Sequence, residues 1–234
     1  MKVSLIVPCY NEQDNIEEFY RVATATFLKE SYEYELTFVD DGSRDNTLKI
    51  LKKIYGIDKK HVNVVSFSRN FGKEAAIYAG LHNVSGDYVS IIDADLQQRP
   101  ELVRKMIDIL EKQPEYDCVA AYQQERHENT FLRVFKNMFY KIINRVSEVE
   151  FRSGASDFRT MRKCMADAHC SLPEYYRFSK GLFSWVGFNT FYLPYIAEER
   201  FSGASKWSFR SLFKYAINGI VSFTVSPLKI ATYI

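Results

Sequence analysis

The sequence predicts an α/β fold in which helices cover both faces of a mostly parallel sheet. Two observations lead to this prediction. Short apolar runs alternate with amphipathic segments through the first half of the chain, which is typical of successive strand–helix units. Acidic residues follow two of these runs directly, and ligands of open α/β sheets bind beyond the carboxyl ends of the strands. With 234 residues, 47% of them hydrophobic, the chain can bury a full core.

The first half contains five short apolar runs that we interpret as strands. They lie at residues 3–9, 36–39, 62–67, 88–92 and 117–122. Apolar residues at helical spacing between them predict four helices. These helices cover residues 16–23, start near Asp45, cover residues 72–81 and start at Pro100. Proline suits the first turn of a helix, because its missing N–H would have no partner there.

The second half is richer in aromatic residues, and its basic residues outnumber its acidic ones. Its predicted elements are a helix-like apolar stripe at 131–146, an extended segment at 152–161, a short helix at 176–186, a strand at 188–195 and a helix at 205–223. In the last helix, Lys206, Arg210 and Lys214 recur every four residues and form a cationic stripe, while aromatic residues lie on the other side. Such a helix can lie in a bilayer interface. A helix packed on the domain with a solvated basic face has the same pattern.

Composition excludes several classes of function. A net charge of +2 gives no general case for nucleic-acid binding. The four cysteines form no CxxC pair, and no histidine stands at zinc-ligand spacing from them, so we expect reduced thiols in a cytosolic domain. The apolar run at the N-terminus is short and is followed at once by Asn11 and Glu12, which favours a first strand over a signal peptide. No stretch approaches the roughly 20 apolar residues that span a bilayer.

An acidic triplet follows the fourth predicted strand. Asp93 and Asp95 are two residues apart, so in an extended chain their side chains project to the same side and can converge on one ion. Gln97, two residues further on, can supply another oxygen. Hard oxygen ligands suit Mg²⁺ or Mn²⁺, which would share such a site with a diphosphate. A solvated acidic turn would show the same triplet, so the triplet alone does not decide between the two.

The order of several motifs is more specific than the triplet. Residues 4–12 (SLIVPCYNE), 39–43 (VDDGS) and 93–97 (DADLQ) occur in this order and together resemble the family 2 glycosyltransferases of the GT-A fold. Three further segments narrow the resemblance to the bacterial polyprenyl-phosphate glycosyltransferases, relatives of dolichol-phosphate mannose synthase. They are 68–74 (SRNFGKE), 157–159 (DFR) and 180–187 (KGLFSWVG). The resemblance covers essentially the whole chain and departs at Gln98-Arg99, where the family usually has Asp-Pro.

The resemblance implies roles for individual residues on the donor side. Pro8, Tyr10 and Glu12 would line the nucleotide pocket. Asp41 would accept a hydrogen bond from the base, which we expect to be the uracil N3–H, with Asp40 as the second candidate. The metal ligands would be Asp95 and Gln97, with Asp93 near both the metal and the ribose. The departure at residues 98 and 99 would alter the rim of the sugar pocket and would leave the metal site in place.

On the acceptor side the resemblance implies a second set of residues. Asp157 would lie near the acceptor, either as a catalytic base or as a group that orients it. Arg133 would meet the acceptor phosphate, and Arg200 and Lys206 are further candidates. Arg133 on a helix is otherwise a solvated residue, and Asp157 could simply cap a turn. A lipid phosphate is anionic near neutral pH and can attack the anomeric carbon directly, so a general base becomes optional.

These expectations combine into a leading hypothesis and two alternatives. The leading hypothesis is inverting transfer of a hexose, glucose or N-acetylglucosamine, from a UDP-sugar to undecaprenyl phosphate. The first alternative is a family 2 transferase that extends a glycan or polysaccharide at the cytosolic face. The second is a nucleotidyltransferase, which is disfavoured because a Gly-rich, basic loop does not follow the first strand. A dehydrogenase is disfavoured because no GxGxxG follows that strand.

The resemblance also predicts how the chain is organised around a membrane. We expect a catalytic domain at residues 1–204 and an amphipathic juxtamembrane helix at 205–234 that leads into a transmembrane part absent from this chain. The protein would then work at the cytoplasmic face of the cell membrane. The resemblance is compatible with a homo-oligomer. The sequence does not reveal which sugar is transferred or in which pathway.

Overall fold

The computed structural model describes residues 1–30, 32–123, 144, 155–172, 174, 177–198 and 201–202. In chain order these residues form the strands β1 (Lys2–Cys9), β2 (Glu33–Asp40), β3 (Val62–Ser66), β4 (Tyr88–Ile91), β5 (Cys118–Gln123), β6 (Ala155–Arg162) and β7 (Thr190–Tyr195). The helices are α1 (Ile16–Phe27), α2 (Thr47–Ile57), α3 (Lys73–His82), α4 (Pro100–Lys112), α5 (Lys163–Cys170) and α6 (Ser179–Trp185).

Within the described ranges the strands form one sheet of mixed direction. Its order is β3-β2-β1-β4-β6-β5-β7. The pairs β1–β2, β1–β4, β2–β3 and β5–β7 are parallel, whereas β6 runs antiparallel to both of its neighbours, β4 and β5. The predicted mostly parallel α/β sheet is therefore confirmed, and the inserted antiparallel strand was not foreseen. Because β6 reverses direction, its first residues lie at the same edge of the sheet as the carboxyl ends of β1 and β4.

The core lies on both faces of the sheet. Strand β2 is buried along its length after Glu33, as expected for a strand covered on two sides. On one face, α1 and α4 pack their apolar stripes against β1, β2 and β5. On the other face, α3 and α5 cover β1, β4 and β6 with a smaller cluster that includes Ile77, Met161 and Phe183. Pro100 occupies the first turn of α4, where the sequence predicted it.

Helix boundaries differ from the predictions where side chains hold the helix ends. Helix α2 begins at Thr47 because the carboxylate of Asp45 accepts the Thr47 backbone N–H at 2.9 Å. Helix α6 begins at Ser179, whose backbone N–H donates to Glu74 on α3 at 2.8 Å. The predicted helices at 131–146 and 205–223 fall almost entirely outside the described residues, so the division at residue 204 stays a prediction. No helix in the described ranges has the length and apolar character needed to cross a bilayer.

Candidate active site

A cleft of about 220 Å³ opens at the carboxyl edge of the sheet, beyond the ends of β1, β2 and β4. Strands β2 and β3 lie on one side of β1, and β4 lies on the other. The chain thus reverses its direction of winding at β1, and this switch point is where α/β sheets bind ligands. The structure brings six of the predicted site residues to the wall of this cleft: Pro8, Tyr10, Glu12, Asp41, Asp93 and Asp95.

The loops after β1 and β2 are tied to each other by side chains. Asn11 adopts a left-handed backbone conformation with φ of 53°, which asparagine tolerates better than most residues. Its backbone N–H donates to the Ser43 hydroxyl at 2.9 Å, and its side-chain oxygen accepts the Arg44 N–H at 2.8 Å. The Glu12 N–H donates to the Thr47 hydroxyl at 2.8 Å. These bonds fix the wall formed by the predicted nucleotide-binding residues.

The two aspartates after β2 have different environments. Asp41 lines the cleft, and its carboxylate accepts the backbone N–H groups of Phe71 at 2.6 Å and Gly72 at 2.9 Å. Burial raises the pKa of Asp41, and the two N–H donors only partly offset this. Asp40 is buried beneath the loop and accepts from the Ser43 N–H and the Ser66 hydroxyl. Asp41 is therefore placed to meet a ligand, whereas Asp40 supports the loop.

Gly42 allows the loop after β2 to pass very close to the loop after β3. Its φ is 64°, and a Cβ at this position would lie 2.3 Å from the backbone carbonyl carbon of Arg69. Only glycine fits such an approach, and only glycine adopts this conformation without cost. The close contact holds Asn70, which lines the cleft, next to the Asp41 turn.

The acidic turn after β4 is strained and well anchored. Leu96 has a φ of 58°, a left-handed conformation that costs a residue with a Cβ about 1–2 kcal/mol. The side-chain oxygen of Gln98 accepts the Asp93 N–H at 3.2 Å, and the Gln97 N–H donates to the Asp95 carboxylate at 3.2 Å. Strain held in place by surrounding bonds is common where a turn positions functional groups.

The departure from the family pattern at residues 98 and 99 therefore has structural roles. The buried Gln98 holds the acidic turn, and Arg99 forms an ion pair with Glu198 in the segment after β7. The side chain of Gln97 donates to the Glu198 carbonyl at 3.3 Å and is absent from the cleft wall. Its predicted role as a metal ligand stays a prediction.

Lys73, which is not among the predicted site residues, pairs with one carboxylate after β4 and with another on β6. The ammonium of Lys73, the first residue of α3, lies 2.6 Å from Asp93 Oδ1 and 3.3 Å from Asp157 Oδ2. Burial by itself would lower the pKa of Lys73, but the two carboxylates outweigh burial and raise it. Burial would likewise raise the pKa of Asp157, but Lys73, Lys180 and Arg159 outweigh it and lower the pKa to about 2. Both groups are thus charged at neutral pH.

Lys73 pairs with both Asp157 and Asp93, although these two aspartates are far apart in sequence. Strand β6, which carries Asp157, lies beside β4 and places it near the acidic turn. The second carboxylate oxygen of Asp157 is buried and has no hydrogen-bond partner among the described residues. A buried acceptor without a donor is uncommon and indicates that a ligand can complete the site. The other acceptor-side predictions, Arg133, Arg200 and Lys206, lie outside the described residues.

The donor set fits a divalent cation that shares its coordination with a bound ligand. Asp93 and Asp95 present two carboxylates to the same cleft, and Mg²⁺ is usually held by one or two carboxylates plus phosphate oxygens. In the described part of the chain, no group of three or more histidine, cysteine, aspartate or glutamate residues is arranged to hold an ion by itself. The residues would therefore complete a metal site together with a phosphate-bearing ligand.

Comparison with known proteins identifies the family. Residues 4–169 match the family model described as Glycosyl transferase family 2. The chain belongs to this family. A bactoprenol glucosyl transferase of Shigella phage SfV is 38% identical over 235 residues, which cover 100% of this chain and 76% of that protein. An uncharacterized glycosyltransferase of Synechocystis is 39% identical over 235 residues, covering 100% of this chain and 73% of that protein.

Solved structures confirm the GT-A-type fold of this family 2 enzyme. Glucosyl-3-phosphoglycerate synthase from Mycobacterium tuberculosis, crystallised with Mn²⁺, UDP and phosphoglyceric acid, superposes with a TM-score of 0.64 at 18% identity. The alignment covers 94% of this chain and 78% of that one. The predicted family and fold class are thus confirmed, and the chain is a glycosyltransferase.

Proposed function

We propose that this glycosyltransferase moves a hexose, with glucose as the first candidate, from a UDP-sugar to a polyprenyl phosphate such as undecaprenyl phosphate. The observation that carries the proposal is the cleft itself, which is lined by Asp41, the acidic turn after β4 and Lys73. The Lys73 ammonium also pairs with Asp157. The 38% identity to a bactoprenol glucosyl transferase supports both the sugar and the polyprenyl acceptor.

On the donor side, the chain would bind the nucleotide with the loops after β1 and β2. Asp41 lines the cleft, and in this proposal it would accept the N3–H of uracil. The Asp41 carboxylate is held by the Phe71 and Gly72 N–H groups, so its orientation is fixed before the donor arrives. Preorganised acceptors gain affinity because little ordering remains to be done on binding.

At the diphosphate end, Asp93 and Asp95 would hold Mg²⁺ or Mn²⁺ together with the donor phosphates. When bound, such an ion supplies positive charge that stabilises the departing nucleoside diphosphate. Gln98 and the Phe201 N–H, which donates to the Asp95 carbonyl at 3.2 Å, would keep the turn in place as charge develops. Groups that do not reorganise during the reaction stabilise a transition state most effectively.

On the acceptor side, the proposed reaction needs positively charged side chains more than it needs a general base. A phosphate monoester is already anionic at neutral pH, so one of its oxygens can attack the anomeric carbon without losing a proton first. Attack from the face opposite the leaving diphosphate would invert the anomeric centre. Asp157 would then act by orienting Lys73 and the acceptor, and Arg133, Arg200 and Lys206 stay the candidates for holding the acceptor phosphate.

A polyprenyl acceptor requires the enzyme to work at a membrane, and we propose its cytoplasmic face. The cationic stripe of Lys206, Arg210 and Lys214 would contact anionic lipid, with each basic residue contributing on the order of 1 kcal/mol. Binding to liposomes should then require anionic lipid and weaken as salt rises, because salt screens the attraction. A triple charge reversal at these three positions should reduce sedimentation with the liposomes; equal sedimentation would remove this part of the proposal.

The proposal is tested by supplying labelled UDP-glucose, UDP-N-acetylglucosamine and GDP-mannose with undecaprenyl phosphate, with or without Mn²⁺. We expect a lipid-linked sugar from a UDP donor only when the metal is present, and we expect its anomeric configuration to be opposite to that of the donor. Parallel reactions with an oligosaccharide acceptor distinguish the glycan-extending alternative. Transfer to the saccharide with none to the lipid phosphate would overturn the proposed acceptor, and a requirement for a GDP donor would overturn the proposed nucleotide.

A further inference from the structure

The position of Lys73 conflicts with free access of a cation to the acidic turn. Its ammonium lies 2.6 Å from Asp93 Oδ1, one of the two carboxylate oxygens with which Asp93 would hold a divalent ion. The side chains of Lys73 and Asp93 are 30% and 34% exposed, so the ion pair faces the cleft and is not sealed in the core. A bare divalent ion approaching this turn would meet a positive charge already in place.

We propose that Lys73 is a positioning residue that occupies Asp93 while the donor is absent, so that the divalent ion binds tightly only together with the nucleotide. The inference rests on the proposed function for the metal and the donor. The diphosphate of a nucleotide sugar brings negative charge into the cleft, which both attracts the ion and offers Lys73 new anionic partners. The protein would thus avoid loading the metal without its substrate.

The backbone around Lys73 is fixed on both sides, and this makes a side-chain exchange feasible. The preceding residue, Gly72, donates its N–H to Asp41 at the proposed base site. The following residue, Glu74, accepts both the N–H and the hydroxyl of Ser179. The long lysine side chain can change direction while its backbone stays still. The loop before α3 bonds to Asp41 through the Gly72 N–H, and Lys73 follows Gly72 directly. A ligand bound at the proposed base site would therefore lie close to the ammonium that blocks the metal.

Asp157 can remain the ion-pair partner of the Lys73 ammonium when the ammonium leaves Asp93. Its Oδ2 lies 3.3 Å from the Lys73 Nζ, on β6, whereas Asp93 belongs to the turn after β4. A shift of Lys73 toward Asp157 would keep the lysine paired and free the Asp93 oxygen for the ion. This arrangement gives Asp157 a function in donor loading that is separate from contact with the acceptor.

The test measures binding of Mn²⁺ without turnover, from the electron paramagnetic resonance signal of free Mn²⁺, with and without UDP. For the natural protein we expect weak binding of Mn²⁺ alone and at least tenfold tighter binding with UDP. In Lys73→Met, a side chain of similar length without charge, Mn²⁺ alone should bind about tenfold more tightly, because a nearby positive charge is removed. UDP should then improve Mn²⁺ binding much less than it does in the natural protein.

Two further variants keep the result interpretable. Lys105→Met removes the same charge from an exposed position on α4 and should leave Mn²⁺ binding unchanged. In the single variant Lys73→Met, the charge of Asp157 loses its lysine partner, which could disturb the fold. The double variant Lys73→Met, Asp157→Asn removes that charge as well and so avoids this disturbance. The double variant should also bind Mn²⁺ alone more tightly than the natural protein, and thermal unfolding should confirm that each variant is folded.

The outcomes separate this inference from the proposed function. If the natural protein binds Mn²⁺ with UDP, but folded Lys73→Met and the double variant bind Mn²⁺ alone no better than the natural protein, Lys73 does not control metal access and the inference is wrong. An increase of the same size in Lys105→Met would show a general charge effect and would also overturn it. If the natural protein binds no Mn²⁺ even with UDP, the proposed metal-dependent function fails, and the inference fails with it.

Discussion

Two lysine–carboxylate clusters lie at opposite ends of the central strands, and they differ in how completely their polar atoms are bonded. At the amino end, the buried carboxylate of Glu35 accepts from the ammonium of Lys2 at 2.6 Å, the Ser4 hydroxyl at 2.5 Å and the Ser85 N–H at 2.7 Å. At the carboxyl end, Lys73 bridges two carboxylates, and one oxygen of Asp157 has no partner in the described ranges.

The comparison shows how a structural polar cluster differs from one that is arranged for a ligand. A buried network whose members are all bonded stabilises one conformation. A network that contains an acceptor without a donor can still form a hydrogen bond to a ligand. Removing a partner should therefore reduce stability at the amino end and reduce ligand binding or turnover at the carboxyl end. Variants at both ends of the strands can test this division.

The strongest test removes a carboxylate from the acidic turn. We expect Asp95→Ala to lower the rate of sugar transfer by roughly a hundredfold or more, since loss of a preorganised charge-stabilising group typically has this effect. Its midpoint of thermal unfolding should stay close to that of the natural protein. Steady-state transfer assays across a range of Mn²⁺ concentrations measure the effect, and near-normal activity with an unchanged metal requirement would refute the assignment of Asp95.

The second test compares the adjacent aspartates after β2. Asp41→Ala should weaken UDP binding by about tenfold to a hundredfold, as expected for a bond to a charged group worth roughly 1.5–3 kcal/mol. Asp40→Ala should weaken UDP binding less and lower the unfolding temperature more, because Asp40 supports Ser43 and Ser66 below the loop. Titration calorimetry with UDP and Mn²⁺ provides the ranking, and the reverse order would exchange the two roles.

The third test breaks the cluster at the amino end. Burial would raise the pKa of Glu35, but bonds from Lys2, Ser4 and the Ser85 N–H outweigh burial and lower it. We expect Glu35→Gln to reduce the free energy of unfolding by about 1–3 kcal/mol near neutral pH, with an unchanged kcat/KM for transfer. A loss of activity as large as that of Asp95→Ala, without loss of stability, would contradict the division between the two ends.

The stability difference between the natural protein and Glu35→Gln should also depend on pH in a defined direction. The folded-state pKa of Glu35 lies below its unfolded value, so its stabilising contribution is complete above the unfolded pKa and is lost as the pH falls through the folded pKa. The difference in unfolding temperature between the natural protein and Glu35→Gln should therefore shrink below about pH 4.5, near the ordinary pKa of a glutamate. Thermal unfolding between pH 3 and 7 checks this expectation, and a difference that grows with acid would reverse the sign.

The smallest expected effect concerns the support of the acidic turn. Gln98→Met keeps the volume of the buried side chain but removes the acceptor for the Asp93 N–H. Because a neutral hydrogen bond contributes roughly 0.5–1.5 kcal/mol, we expect kcat/KM to fall about twofold to tenfold. Arg99→Met, which removes the exposed ion pair with Glu198 instead, serves as the matched control and should have little effect.

Much of the donor side could be predicted from the sequence because the relevant residues follow strands directly. Parallel strands present their carboxyl ends at one edge, so Asp41, Asp93 and Asp95 converge as soon as the strand order is set. The predicted roles of Pro8, Tyr10 and Glu12 came instead from the family resemblance of residues 4–12. Only the acidic residues at the strand ends followed from the strand–helix alternation.

The importance of Lys73 could not be predicted in this way, because it depends on pairing between distant parts of the chain. A lysine in the first turn of a helix is ordinarily solvated. Here, insertion of β6 antiparallel to β4 brings Asp157 to the same edge as Asp93. The sequence contained one usable signal, namely that Lys73 belongs to the segment 68–74 that carries part of the family resemblance.

The close contact at Gly42 has a consequence for changing the donor preference of this enzyme. Any side chain there would collide with the Arg69 backbone, so a larger residue at position 42 would force the loop after β3 away from the loop after β2. A library aimed at a different nucleobase should therefore keep Gly42 constant and vary Asn70, which is exposed and lines the cleft.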